Sequence, residues 1–191
     1  MTQTTKTIDR DEIRALDTES LIERYASGVD SLDPRLLSAT DEQASAYFRP
    51  EAGIGRWSCR ALVVHLADAE QVLVHRMRRV VCEERPVLAL WDEDAFIDAC
   101  VCDGDDAHPA PPVAGAVGVI HATRLWTREW LRSLAPEAWD RVGLPPATSE
   151  LTQHDLVTYS TWHLEHHSAI LARKLDAMHI ASPNAAEGAD A

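Results

Sequence analysis

Histidine is the residue type that stands out for chemistry, with nine in a chain of 191 residues. His163 and His167 stand four apart. Positions i and i+4 of an α-helix lie one turn apart on one face, so both imidazoles can reach a single point. That face is the apolar one, because Leu156 lies seven residues before His163, and Ile170 and Leu171 lie seven and eight after it. His65 occupies a second apolar stripe, after Leu62 and before Ala69, Val72 and Leu73. Two helices thus each place an imidazole where the pattern would carry Leu or Ile. Buried ring nitrogens need partners, and one metal ion would satisfy all three rings together. The alternative gives each ring a backbone carbonyl or a water, as for any core histidine.

Three neutral histidines leave a divalent transition metal such as zinc, nickel or iron with open positions for water or a substrate atom. Such an ion can make hydroxide from bound water, or hold a thiol as its thiolate. A general base is less plain. Asp68, three residues after His65, and Glu165 read as supporting or solvated carboxylates. His166 falls to one side of the stripe through His163 and His167. His75, His108, His121, His154 and His179 have no convergent partner and are expected in surface or packing roles. Cys100 and Cys102 with His108 form a second set that could take a soft metal. Reduced thiols at Cys59, Cys82, Cys100 and Cys102 are the plainer expectation, since a chain of this length builds a core without disulfides. Trp57, just before the second helix, and Trp162, beside His163, could wall a pocket.

Helices must bring these side chains together, and the pattern is helical nearly throughout, without long alternating runs or short β-rich runs between turns. The first helix is expected from about Thr18 to Ala39, with Leu21, Ile22, Tyr25, Val29 and Leu32 at helical spacing and a break or kink at Pro34. The second runs from an N-cap at Ser58 to about Glu84, ahead of Pro86. The third follows Pro111 and Pro112 and runs towards Leu134, closed by Pro136. The fourth opens on Thr152-Gln153-His154-Asp155, a capping-box pattern, and ends near Met178. The connection from Pro86 to Pro112 is long enough to cross the bundle and holds a short helix from Asp92 to Ala99. The expected fold is an all-α four-helix bundle with one long crossover connection over residues 18–180. An N-terminal extension, 1–17, precedes it, and an Ala-rich polar tail, 181–191, expected to be disordered, follows.

The net charge is −13, from 18 basic and 31 acidic residues. Such a surface repels nucleic-acid phosphates and anionic membranes, so neither is an expected partner. Arg76, Arg78 and Arg79 spread around their helix and read as a solvated end. No stretch approaches the roughly 20 apolar residues of a membrane span, and Met1 to Asp11 lacks the apolar run of a signal peptide. The chain therefore reads as soluble and cytoplasmic.

The run Gly55-Arg56-Trp57-Ser58, followed by His65-Leu66-Ala67-Asp68-Ala69-Glu70, resembles the G-K-W-S and H-L-x-D-x-E signature of the DinB/YfiT-like superfamily. Trp162-His163-Leu164-Glu165-His166-His167 resembles that family's second metal motif, H-x-x-x-H. Trp91-Asp92-Glu93-Asp94-Ala95-Phe96 resembles its acidic-aromatic piece. The likeness spans about Leu21 to Leu175 and departs from the commoner pattern at Ala61 and Ala169. It implies a four-helix bundle, frequently a homodimer, with a metal, often nickel or zinc, on His65, His163 and His167. It also implies a small-molecule substrate. Family activities include S-transfer from low-molecular-weight thiols (bacillithiol or mycothiol), thiol-dependent maleylpyruvate isomerisation and steps of thiol-histidine biosynthesis. Many members are known only as metal-dependent hydrolases. The leading expectation is a thiol S-transferase; the others are a hydrolase using bound hydroxide and a non-catalytic metal-binding or dimerisation module.

Overall fold

The computed structural model describes residues 8–46, 48, 53–99, 102–105, 107–146 and 149–180. The tail 181–191, most of the N-terminal extension's first half and Cys100 lie outside the described residues. The α-helices are, in order, α1 (Arg10–Arg14), α2 (Thr18–Ser27), α3 (Asp41–Ala44), α4 (Cys59–Cys82), α5 (Glu93–Ala99), α6 (Val113–Arg132) and α7 (Gln153–Ala177).

Local chemistry sets the ends of the long helices. Ser58 Oγ accepts from the Ala61 amide at 3.0 Å and starts α4. Thr152 and Asp155 exchange side-chain-to-backbone hydrogen bonds in a capping box at the head of α7, satisfying amides that a helix start otherwise leaves free. α6 follows Pro112. The first helix is shorter than its periodicity suggests. It ends at Ser27, and two 3-10 turns follow, Gly28–Ser31 and Pro34–Leu37, the second capped by Asp33. A side chain at Gly28 would put its Cβ 2.5 Å from Arg124 Nη1, so any larger residue would have to displace that buried guanidinium.

The order around the bundle is α2, α6, α4, α7: α2 and α4 each pack on both α6 and α7 and face one another diagonally. Two apolar clusters fill the interior. One gathers Leu21, Ile22, Leu73, Met77, Leu131 and Leu156; the other gathers Leu62, Val63, Leu66, Ile120, Leu164 and Leu171. α1 packs on α7, and Ile13 is fully buried in the first cluster. A helix of five residues is too short for its periodicity to show. Two further elements escape sequence reading for the same reason. β1 (Val142–Gly143) pairs antiparallel with β2 (Leu151–Thr152), a two-residue ribbon leading into α7. Among the described residues no helix is long and apolar enough to cross a membrane.

Candidate metal centre

α4 supplies His65, and α7 supplies His163 and His167 one turn apart. His65 is 1% exposed, His163 6%, and His167 is partly buried. The Nε2 atoms of His65 and His163 lie 3.2 Å apart, and one ring nitrogen from each histidine lies within 4.8 Å of the others. Among the described residues this is the one convergent group of three or more His, Cys, Asp or Glu side chains.

Burial holds all three rings neutral. It pushes His65 down to about 4 and His167 to about 3, the neighbouring imidazoles adding to the effect at His167. His163 falls to about 2, through burial first and then through His167, His65 and the Arg124 guanidinium. Neutral imidazole is the metal-binding form. The donor set also fits a metal. His65 Nδ1 and His167 Nδ1 are buried with no hydrogen-bond partner. Among the described residues, no backbone carbonyl accepts a hydrogen bond from any of the three rings. Two nitrogen ligands about 2.0–2.1 Å from a tetrahedral zinc stand roughly 3.3–3.4 Å apart, close to the His65–His163 spacing. Metal-bound histidines are commonly oriented by a hydrogen bond from the second nitrogen. Here aromatic packing takes that part. Trp57 lies 4.9 Å from the His65 ring on one side, Trp91 stacks within 8° of parallel at 5.4 Å, and Tyr159 stacks on His163 at 5.5 Å.

Other expected residues stand elsewhere. Trp162 stacks on His166 at 4.8 Å and donates to the Ile8 carbonyl, so Trp91 is the second aromatic wall in its place. Glu165 is held by Arg24 through two bonds of 2.8 Å. Asp68 is half-buried, and burial raises its carboxyl above the usual range. His108 bonds Asp105, and His154 lies edge-on to Trp139. The three arginines near the end of α4 diverge: Arg76 donates to the Ala89 carbonyl, Arg78 lies over Trp126 and Trp130, and Arg79 forks onto Glu83. Beside His167 lies a cavity of about 200 Å³, bordered also by Ile54, Gly55, Arg56, Trp57, Leu62, Ile170 and Lys174.

With this geometry in view, the comparisons with known proteins are specific. The family model of the DinB superfamily matches residues 10–171. The chain belongs to the DinB superfamily. YfiT of Bacillus subtilis, provisionally named a metal-dependent hydrolase, is 30% identical over 131 residues, 68% of each chain. A relative in Oceanobacillus iheyensis with the same provisional name is 25% identical over 157 residues, 80% of this chain and 84% of its own. The solved structure of Bacillus subtilis YfiT, described as having an unusual four-helix bundle topology, superposes with a TM-score of 0.74 over 94% of this chain and 95% of that one, at 19% identity. That likeness establishes the fold.

This DinB-superfamily bundle also holds a polar layer that the sequence pattern did not disclose. Glu70 and Arg124 are buried between the two apolar clusters, 3% and 0% exposed. Arg124 Nε donates to Glu70 at 2.9 Å, Nη1 to the Tyr25 carbonyl at 2.7 Å and Nη2 to the Ser160 carbonyl at 2.8 Å. The Tyr25 hydroxyl donates to the other Glu70 oxygen. One guanidinium thus ties α2, α4, α6 and α7 together, three residues before His163 on α7 and five after His65 on α4. The available signal was a Glu and an Arg, each on an otherwise apolar stripe.

Proposed function

We propose that this protein is a metal-dependent hydrolase whose ion is held by His65, His163 and His167. The observation that carries this is the convergence of three neutral imidazoles whose nitrogens lie within 4.8 Å of one another. The provisional hydrolase names of the two relatives support it. A divalent transition metal, zinc, nickel or iron by this donor set, supplies Lewis acidity there, lowering the pKa of water or a thiol and polarising a carbonyl or phosphoryl oxygen. The chain's own residues do the rest. Burial keeps the rings unprotonated at neutral pH. Trp57 and Trp91 cover His65 and exclude water from that side. His167, the least buried of the three, faces the adjoining cavity, where a small-molecule substrate can approach.

One observation favours S-transfer from a low-molecular-weight thiol as the second reading. Among the described residues, no carboxylate is hydrogen-bonded to the three rings, and Glu165 is committed to Arg24. A thiol on a bound metal would be held as its thiolate, the proton passing to solvent with no carboxylate base, so this route asks less of the site. The test is turnover of p-nitrophenyl esters and of a thiol-reactive electrophile by metal-loaded protein, with and without added thiol. Ester cleavage that needs metal but no thiol, reduced about a hundredfold or more in His163→Ala, is the expected result. Turnover only with thiol establishes the transferase. No metal-dependent turnover of either substrate contradicts both and leaves a binding module.

A further inference from the structure

We infer that the cavity beside His167 is a specificity pocket for an uncharged hydrocarbon group about the size of a benzene ring. This rests on the metal-dependent reading above and names the substrate class that it would act on. The cavity measures about 200 Å³, and an apolar cavity of about 150 Å³ is known to accommodate benzene. Ile54, Trp57, Leu62 and Ile170 line it, and His167 borders it from the imidazole cluster. A half-open apolar pocket of this size against a candidate metal ligand points to an occupant. The surface it exposes is nearly all hydrocarbon, which an apolar group covers favourably and water does not.

Two cations border the cavity, and the charged head of each is engaged elsewhere. Lys174, 1% exposed, donates from Nζ to the carbonyls of Gly55 and Trp57 at 3.0 and 2.8 Å, and its ammonium lies 4.3 Å from the Phe48 ring centre. The Arg56 guanidinium reaches out to Asp94 at 2.7 Å and to Asp98 at 3.5 Å. Among the described residues no carboxylate borders the cavity. What faces the space is hydrocarbon, which selects a neutral apolar group over an anion or a cation.

The wall opposite α7 is held in place by α7 itself. Arg173 donates to the Gly53 carbonyl at 3.1 Å, next to the two Lys174 bonds. Gly53 and Gly55 adopt φ of +64° and +77°, a region glycine enters without strain. One helix therefore presents His167 to the imidazole cluster, Ile170 to the cavity and Lys174 to the far wall, on positions i, i+3 and i+7 of one face. The substrate's apolar substituent would lodge here, with the bond to be cleaved beside His167.

The test is a titration of the metal-loaded protein with toluene, benzoate and benzylammonium, following the methyl NMR signals of Ile54, Leu62 and Ile170. It is repeated on His163→Ala and on two filled-pocket variants, Ile170→Trp and Leu62→Phe, so that one misfolded variant does not end the test. Saturable toluene shifts at these methyls are expected in native protein and in His163→Ala. Binding about tenfold or more weaker is expected for both charged probes and for the filled variants. A p-nitrophenyl benzoate preference over acetate, of similar size and lost on filling, is expected in turnover. Toluene binding without any ester turnover supports the pocket while removing the hydrolase reading. Absence of saturable toluene shifts, or tighter binding of benzoate than of toluene, overturns the inference whatever the enzyme does.

Discussion

Burial and mutual proximity make the three imidazoles a poor place for protons and a good one for a metal. Their folded pKa values, about 4, 2 and 3, all lie below the 6.5 of free histidine. Below pH 6.5 the unfolded, metal-free chain therefore binds more protons than the folded one. The stability held by the neutral rings is complete above that pH and is lost as the pH falls towards the folded values. Urea midpoints of metal-free protein are expected to drop steadily from pH 7.5 to pH 5; a midpoint that rises on acidification would mean the rings are charged in the folded state. The buried Glu70–Arg124 pair has a different signature. Glu70→Gln leaves the guanidinium facing a neutral group in the core and is expected to lower stability by about 3–5 kcal/mol. Glu70→Leu combined with Arg124→Met should recover most of that loss. A single-variant loss below about 1 kcal/mol in denaturant unfolding would show that solvent reaches the pair. The histidines were legible in the sequence because each interrupts an apolar stripe at a core position. Glu70 and Arg124 interrupt stripes in the same way, but their partners lie 54 residues apart on different helices, a pairing that periodicity does not contain. Trp91 was legible only as part of a motif, since its contact with His65 depends on how the 83–92 segment folds back.

Helix starts were readable where a side chain performs the cap. Ser58 and the Thr152–Asp155 box lie within four residues of the amides they satisfy. The end of α2 was not readable, because apolar spacing runs on past Ser27 through Val29 and Leu32. Gly28 has ordinary helical torsions, and only the Arg124 guanidinium arriving from α6 shows why the residue must be small. Gly28→Ala tests this. Alanine favours helix by roughly 1 kcal/mol over glycine, yet its Cβ would meet Nη1 at 2.5 Å. Overpacking of this kind costs about 1–3 kcal/mol, so the variant is expected to be less stable in urea or thermal unfolding. Equal or greater stability would show that Arg124 can shift without loss. α1 and the β1–β2 ribbon fell below the length at which apolar spacing carries a signal, and they emerge only from what they pack against.

At the scale of the whole molecule, the three long helices and the start of the shorter α2 were visible in the sequence, but their order around the bundle was not. Amphipathic stripes state that each helix has a buried face and leave open which neighbours meet it; the pairing of α2 and α4 with both α6 and α7 comes from packing in three dimensions. That order sets α4 beside α7 and so brings His65 to His163 and His167. The central claim is that this meeting point is a metal site, and metal content tests it most directly. The protein would be purified without a histidine tag, its bound transition metal measured by elemental analysis, and His163→Ala measured beside it. About one equivalent of metal per chain in the native protein, and a small fraction of that in the variant, is the result expected of a three-histidine site. No metal in either protein, even after reconstitution with zinc or nickel, would make the three histidines core residues and contradict the account.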